Sequence, residues 1–117
     1  CDRRQRQMCI RDRVDALNPH ACYTDEMVKA LFSRDMFMIS TTIFNDFELA
    51  LQIPEVNEIK GIMLKSKARG AGMSGSGSAV FGVFTSSRRA KKCYDNLCES
   101  YKEVFLCKPV SDGCKVL

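Results

Sequence analysis

Apolar residues recur at three- and four-residue intervals through much of the chain, and at residues 79–84 the pattern changes to a continuous apolar run. Met27, Val28 and Leu31 share one face of a first helix that begins around Thr24, a residue suited to an N-cap. Asp25 and Glu26 follow it at the positive end of the helix dipole. The polar "SRD" at 33–35 breaks that helix, and Met36, Ser40, Ile43, Phe47 and Leu51 predict a second, largely buried one over 36–51. Pro54 fits the first turn of a third helix, which Val56, Ile59, Ile62 and Met63 continue and which ends before Gly70. "AVFGVF" at 79–84 is rich in valine and phenylalanine and predicts a central strand, with Gly82 leaving room for a closely packed neighbour. Ser86 or Ser87 caps the next helix, whose apolar stripe includes Ala90, Cys93, Leu97 and Tyr101, opposite Arg88, Lys91, Lys92 and Asp95. "EVFLCKPV" at 103–110 predicts a strand that Pro109 confines to an edge or an end, and "GCKVL" at 113–117 a short final one. Several helices and a strand–helix–strand passage make an α+β two-layer domain.

With 117 residues and 45% hydrophobic content, the chain can bury one modest core, so a single domain over 14–117 is expected. The formal charge of +4 narrows this picture once it is located. Residues 1–13 hold five arginines against two aspartates and so carry +3 of it. The rest has no long-range field able to gather polyanions, which argues against a nucleic-acid partner. The tail reads either as a basic arm contacting phosphates or as a non-native string. The start at Cys1 rather than methionine, together with the change of character at Val14, favours the second and suggests a fragment or processed product. No apolar run approaches the roughly 18 residues of a membrane span and no signal peptide is recognisable, so a soluble cytoplasmic protein is expected, away from membranes.

The seven cysteines are odd in number, and the closest pair, Cys93 and Cys98, is spaced C-x4-C. Reduced, buried thiols acting as small hydrophobes are expected, Cys93 on a helix and Cys107 in a strand, with no metal site. His20 is the single histidine and receives no role.

"GAGMSGSGS" at 70–78 is the candidate for chemistry. Glycines permit backbone angles that turn several N–H groups toward an anion, and serine hydroxyls add donors. The spacing is neither G-x-x-x-x-G-K-[ST] nor a G-x-G-x-x-G that follows a strand and opens a helix. By its own chemistry the stretch is either a phosphate cradle or a plain turn entering a strand.

Its flanks extend the pattern. "IFNDFELA" at 43–50, "IPEVNEIKGIMLKSK" at 53–67 and "ARGAGMSGSGSAVFGVF" at 68–84 follow one another with spacing that resembles the C-terminal domain of the GHMP small-molecule kinases. That family's pattern has an N-[DV]-[LF]-E segment, a proline-led helix containing I-K, and a passage of the form G-A-x-G-A-x-M-S-G-S-G-[PS]-x-V-F-G-[LV]-F. Asn45 to Glu48, Pro54, Ile59, Lys60 and Met73 to Phe84 match it, and the resemblance covers roughly residues 14–110. Lys67 stands where the first glycine is usual, and Gly72 replaces a more typical apolar residue.

The resemblance implies a ferredoxin-like domain with helices packed on a small antiparallel sheet. It implies phosphoryl transfer from ATP, with Mg2+, to the hydroxyl of a small molecule, and the N-D-F-E segment favours the members that act in isoprenoid biosynthesis. Homoserine and mevalonate-type kinases remain alternatives, as does a non-enzymatic α+β module binding a ligand or RNA. Ser74, Gly75, Ser76 and Gly77 are implied to support the phosphate side of the pocket. Asn45 and Glu48 are polar positions on an apolar helix, either contacts near the cleft or helix-packing hydrogen bonds, with packing the expectation. The family's P-x-x-x-G-L-G-S-S-A-A loop, its N-terminal lysine and its catalytic aspartate have no counterpart here, so no catalytic residue is assigned. The implied partner is the N-terminal domain of the same enzyme, and a homodimer is compatible with it. The fragment alone is expected to be inactive.

Overall fold

The computed structural model describes residues 23–116. The expectations for the tail at 1–13 and for His20 fall outside them. In chain order, the described residues form helices α1 (Thr24–Ser33), α2 (Met36–Thr41), α3 (Asp46–Leu51) and α4 (Pro54–Lys65), strands β1 (Gly70–Met73) and β2 (Val80–Val83), and helix α5 (Ser87–Cys98). The strands pair antiparallel from Gly70 opposite Val83 to Met73 opposite Val80. Helix α4 lies against both strands and α5 against α4. Met63, Cys93 and Leu97 form the buried centre, with Ile59, Val80 and Phe84 packed around them. This is the expected α+β arrangement, helices on a small antiparallel sheet. No helix among the described residues is long and apolar enough to cross a membrane.

The helix boundaries follow from capping. Thr24 is the first helical residue of α1 and Tyr23 the cap, without a side-chain bond. Asp35 caps α2 by accepting from the Met38 N–H at 3.1 Å. The single helix expected over 36–51 is two. After the β-branched run Thr41–Thr42–Ile43, the Thr42 hydroxyl donates back to the Met38 carbonyl at 2.8 Å, and Asn45 is extended at φ −145°. The Asn45 side chain then starts α3 by accepting from Phe47 and Glu48 N–H groups. Pro54 takes the first turn of α4, as its fixed φ and missing N–H allow. Ser86 is the cap of α5, accepting from the Arg89 N–H. Along α5, Lys91 and Asp95 pair one turn apart, and that hydrogen bond raises the lysine above its ordinary pKa.

Two strand expectations are corrected. Residues 103–110 and 113–116 carry no strand, and Phe105, Leu106 and Val110 are exposed. A strand exists only through a hydrogen-bonded neighbour, and β1 and β2 are each other's partner. The thiols follow suit: Cys93 is buried as expected, whereas Cys98, Cys107 and Cys114 are exposed.

The stretch at 70–73, read from sequence as part of a loop, is β1. Its glycines admit close neighbours. A Cβ at Gly70 would lie 3.2 Å from the Ser40 Cα, and one at Gly72 would lie 2.7 Å from Ile43 Cγ2. Ile43 thus fills the space that a larger side chain at position 72 would need, which accounts for that departure from the family pattern. Gly82 makes the room expected of it, since a Cβ there would sit 2.8 Å from the Met63 sulfur.

Lys67, where the pattern usually has glycine, has φ 70°. A left-handed backbone disfavours a residue with a Cβ by roughly 1–2 kcal/mol. Lys67→Gly is therefore expected to stabilise the domain by about 0.5–1 kcal/mol, after part of the gain is offset by glycine's greater unfolded-state entropy. Urea unfolding midpoints of the two forms check this, and an unchanged or lower midpoint for the glycine variant counts against it.

Candidate functional site

The β1–β2 connection, residues 74–79, is a hairpin turn closed from within. The Ser74 N–H donates to the Ala79 carbonyl at 2.8 Å, and the Gly77 N–H donates to the Ser74 carbonyl at 3.2 Å. Gly75 has φ 57° and Gly77 φ 92°, so both occupy the left-handed side that glycine tolerates. A Cβ at Gly75 would meet nothing within 4 Å, whereas one at Gly77 would press on the Met73 sulfur at 2.9 Å. Of the four candidate main-chain donors, those of Ser74 and Gly77 are therefore engaged inside the turn. The N–H groups of Gly75 and Ser76 have no acceptor among the described residues.

The turn is held from below by α3 and α4. The Asn45 amide nitrogen donates to the Met73 carbonyl at 2.6 Å and to the Gly75 carbonyl at 2.9 Å. Its oxygen accepts from the Phe47 N–H at 2.9 Å. One planar carboxamide thus starts α3 and grips the hairpin. Glu48 accepts from the Met73 N–H at 2.9 Å through one oxygen and pairs with the Lys60 ammonium through the other. Both polar groups of the Met73 main chain are therefore taken by side chains of α3 and its cap. Glu48 and Lys60 are largely screened from solvent, at 18% and 26% side-chain exposure, so their bonds are stronger than those of a surface pair.

Beside this network runs an open groove of about 220 Å³ lined by Ile43, Phe44, Leu49, Gln52, Asn57 and Ala71 together with Asn45, Glu48 and Lys60. Ser74 to Gly77 do not line it. They meet it through Asn45, which lines the groove and donates to the Gly75 carbonyl. Asp46 has one carboxylate oxygen that is buried without a partner. No group of three His, Cys, Asp or Glu side chains among the described residues could hold a metal ion.

The structure thus brings Ser74, Gly75, Ser76 and Gly77 together with Asn45, Glu48 and Lys60. The Asn45 amide nitrogen donates to the hairpin's main chain while its oxygen caps α3, and Glu48 serves both the hairpin and helix α4. Lys60 matched the family pattern in the sequence but received no role there. The signal was present in Asn45-x-x-Glu48, the spacing of a capping box, although here the glutamate turns to Met73 and Lys60.

Residues 27–103 match the family model described as GHMP kinases C terminal. The chain is similar to the 4-diphosphocytidyl-2-C-methyl-D-erythritol kinase of Thermoanaerobacter pseudethanolicus, at 35% identity over 107 residues, which is 90% of this chain and 36% of that protein. It is also similar to the proteins of the same name from Alkaliphilus metalliredigens, at 38% over 75% of this chain and 31% of that one, and from Clostridium botulinum, at 46% over 47% and 20%. The chain spans about a third of the length of the first of these relatives. No solved structure matches it. The match over residues 27–103, in which α2 to α5 and the glycine hairpin all fall, shows that the chain belongs to the GHMP kinase C-terminal family.

Proposed function

We propose that the chain is the C-terminal part of an ATP-dependent kinase that phosphorylates the 2-hydroxyl of 4-diphosphocytidyl-2-C-methyl-D-erythritol, a step of non-mevalonate isoprenoid biosynthesis. The observation that carries this reading is the glycine hairpin, which offers two main-chain donors, at Gly75 and Ser76, without acceptors among the described residues, on a turn anchored at its base. Adjacent outward N–H groups flanked by serine hydroxyls suit the oxygens of a polyphosphate. The names carried by the relatives supply the acceptor class.

ATP supplies the phosphoryl group, and transfer depends on aligning two anionic reactants and offsetting the charge on the transferred oxygens. In this reading Gly75 and Ser76 donate to phosphate oxygens while Asn45 and Glu48 keep the turn from shifting. Glu48 is committed to Lys60 and Met73 and so is not free to accept a proton from the substrate. Among the described residues no group of three His, Cys, Asp or Glu side chains could hold Mg2+, and in this reading the metal enters with the nucleotide. The proton acceptor comes from the N-terminal domain of the same enzyme, the principal partner.

The test is an ATP-consumption assay on the protein spanning the full length of the relatives, with diphosphocytidyl-methylerythritol, homoserine and mevalonate as acceptors, beside the 117-residue chain alone. Turnover of the first acceptor by the long protein, and none by the short chain, is expected. Turnover confined to homoserine or mevalonate assigns another substrate, and turnover by the short chain overturns the division of labour.

A further inference from the structure

We propose that Asn45 is a positioning residue for phosphoryl transfer, acting through the peptide group between Gly75 and Ser76. The inference rests on the reading of the hairpin as a phosphate-binding turn. In a planar trans peptide the C=O and the following N–H point in opposite directions. The Gly75 carbonyl is drawn inward by the Asn45 amide at 2.9 Å, and this turns the Ser76 N–H outward, away from the domain. The same relation holds two peptides earlier. Asn45 takes the Met73 carbonyl at 2.6 Å, and the Ser74 N–H on the other side of that plane reaches the Ala79 carbonyl across the hairpin.

A tether matters here because of Gly75. At φ 57° with open space where a Cβ would stand, its backbone has little steric reason to keep the following peptide in one orientation. Asn45 itself is fixed, because its oxygen is held by the N–H groups of Phe47 at 2.9 Å and Glu48 at 3.4 Å. Helix α3 is thereby coupled to the orientation of a single donor about thirty residues along the chain.

The two ends of the carboxamide can be separated by substitution. Asn45→Ser and Asn45→Asp both keep an oxygen able to cap α3 and lose the amide donor, and the aspartate adds repulsion toward the two carbonyls. In the full-length enzyme both are expected to melt within a few degrees of the parent. They are expected to raise KM for ATP about tenfold, the worth of one well-placed hydrogen bond to a charged group, with the acceptor's KM unchanged. In ¹H–¹⁵N spectra the Ser76 amide is expected to shift on adding a non-hydrolysable ATP analogue to the parent but not to either variant. Parent-like ATP kinetics in Asn45→Ser and Asn45→Asp, with impaired kinetics in Gly75→Val, overturn the positioning role alone. Parent-like kinetics in all three overturn the phosphate reading of the turn beneath it. A loss of activity that only tracks a lowered melting temperature, with KM for ATP unchanged, makes Asn45 a structural cap and also overturns the proposal.

Discussion

Gly75→Val in the full-length enzyme is expected to lower kcat/KM by about two orders of magnitude, the scale seen when a donor to a developing anionic charge is lost. The domain should remain folded. A branched side chain is a strong outlier at φ 57°, so valine forces the turn toward negative φ and carries the Gly75 and Ser76 N–H groups with it. A Cβ at this position meets nothing within 4 Å, so the change is absorbed in the turn, away from the core around Met63 and Cys93. Steady-state kinetics and far-UV circular dichroism together check this. Parent-like kinetics would leave the hairpin as a structural turn.

Glu48→Ala is expected to produce the largest loss of stability, about 2–4 kcal/mol. It removes two charge-assisted bonds at once, and it leaves the Lys60 ammonium and the Met73 N–H without their acceptor in a poorly hydrated place. Glu48→Gln should cost about half as much by the same reasoning, because its amide oxygen can still accept from Met73 while its amide nitrogen faces Lys60. Urea unfolding of the three forms checks the order. Equal midpoints for the alanine and glutamine variants would mean that the bond to Met73 contributes nothing.

The helices with a clear apolar stripe were legible in the sequence, since α4 and α5 bury the faces that Ile59, Met63, Cys93 and Leu97 mark. Pro54 and Ser86 also identified their N-terminal turns. The split between α2 and α3 was hidden because Ile43 and Phe47 keep helical spacing across it, while the interruption is made by side-chain bonds of Thr42 and Asn45. Strand β1 was hidden for the opposite reason. Glycine is a poor strand former, and what makes Gly70 and Gly72 part of a strand is pairing with β2, while the approach of Ser40 and Ile43 leaves no room for a Cβ there, both tertiary facts. At 103–110 the apolar composition read as a strand, but composition cannot supply a ladder partner. For the site, the sequence located the turn, and only the fold distinguished donors engaged within it from those left outward.

The way Met73 is held has a consequence for how the sheet can grow. An edge strand offers its unpaired N–H and C=O groups to any extended chain that comes alongside. At the end of β1 nearest the turn, Glu48 accepts the N–H and Asn45 donates to the C=O, the two bonds that a residue of a neighbouring strand would make. Two side chains thus act as a one-residue third strand. That edge is closed to strand addition next to the turn.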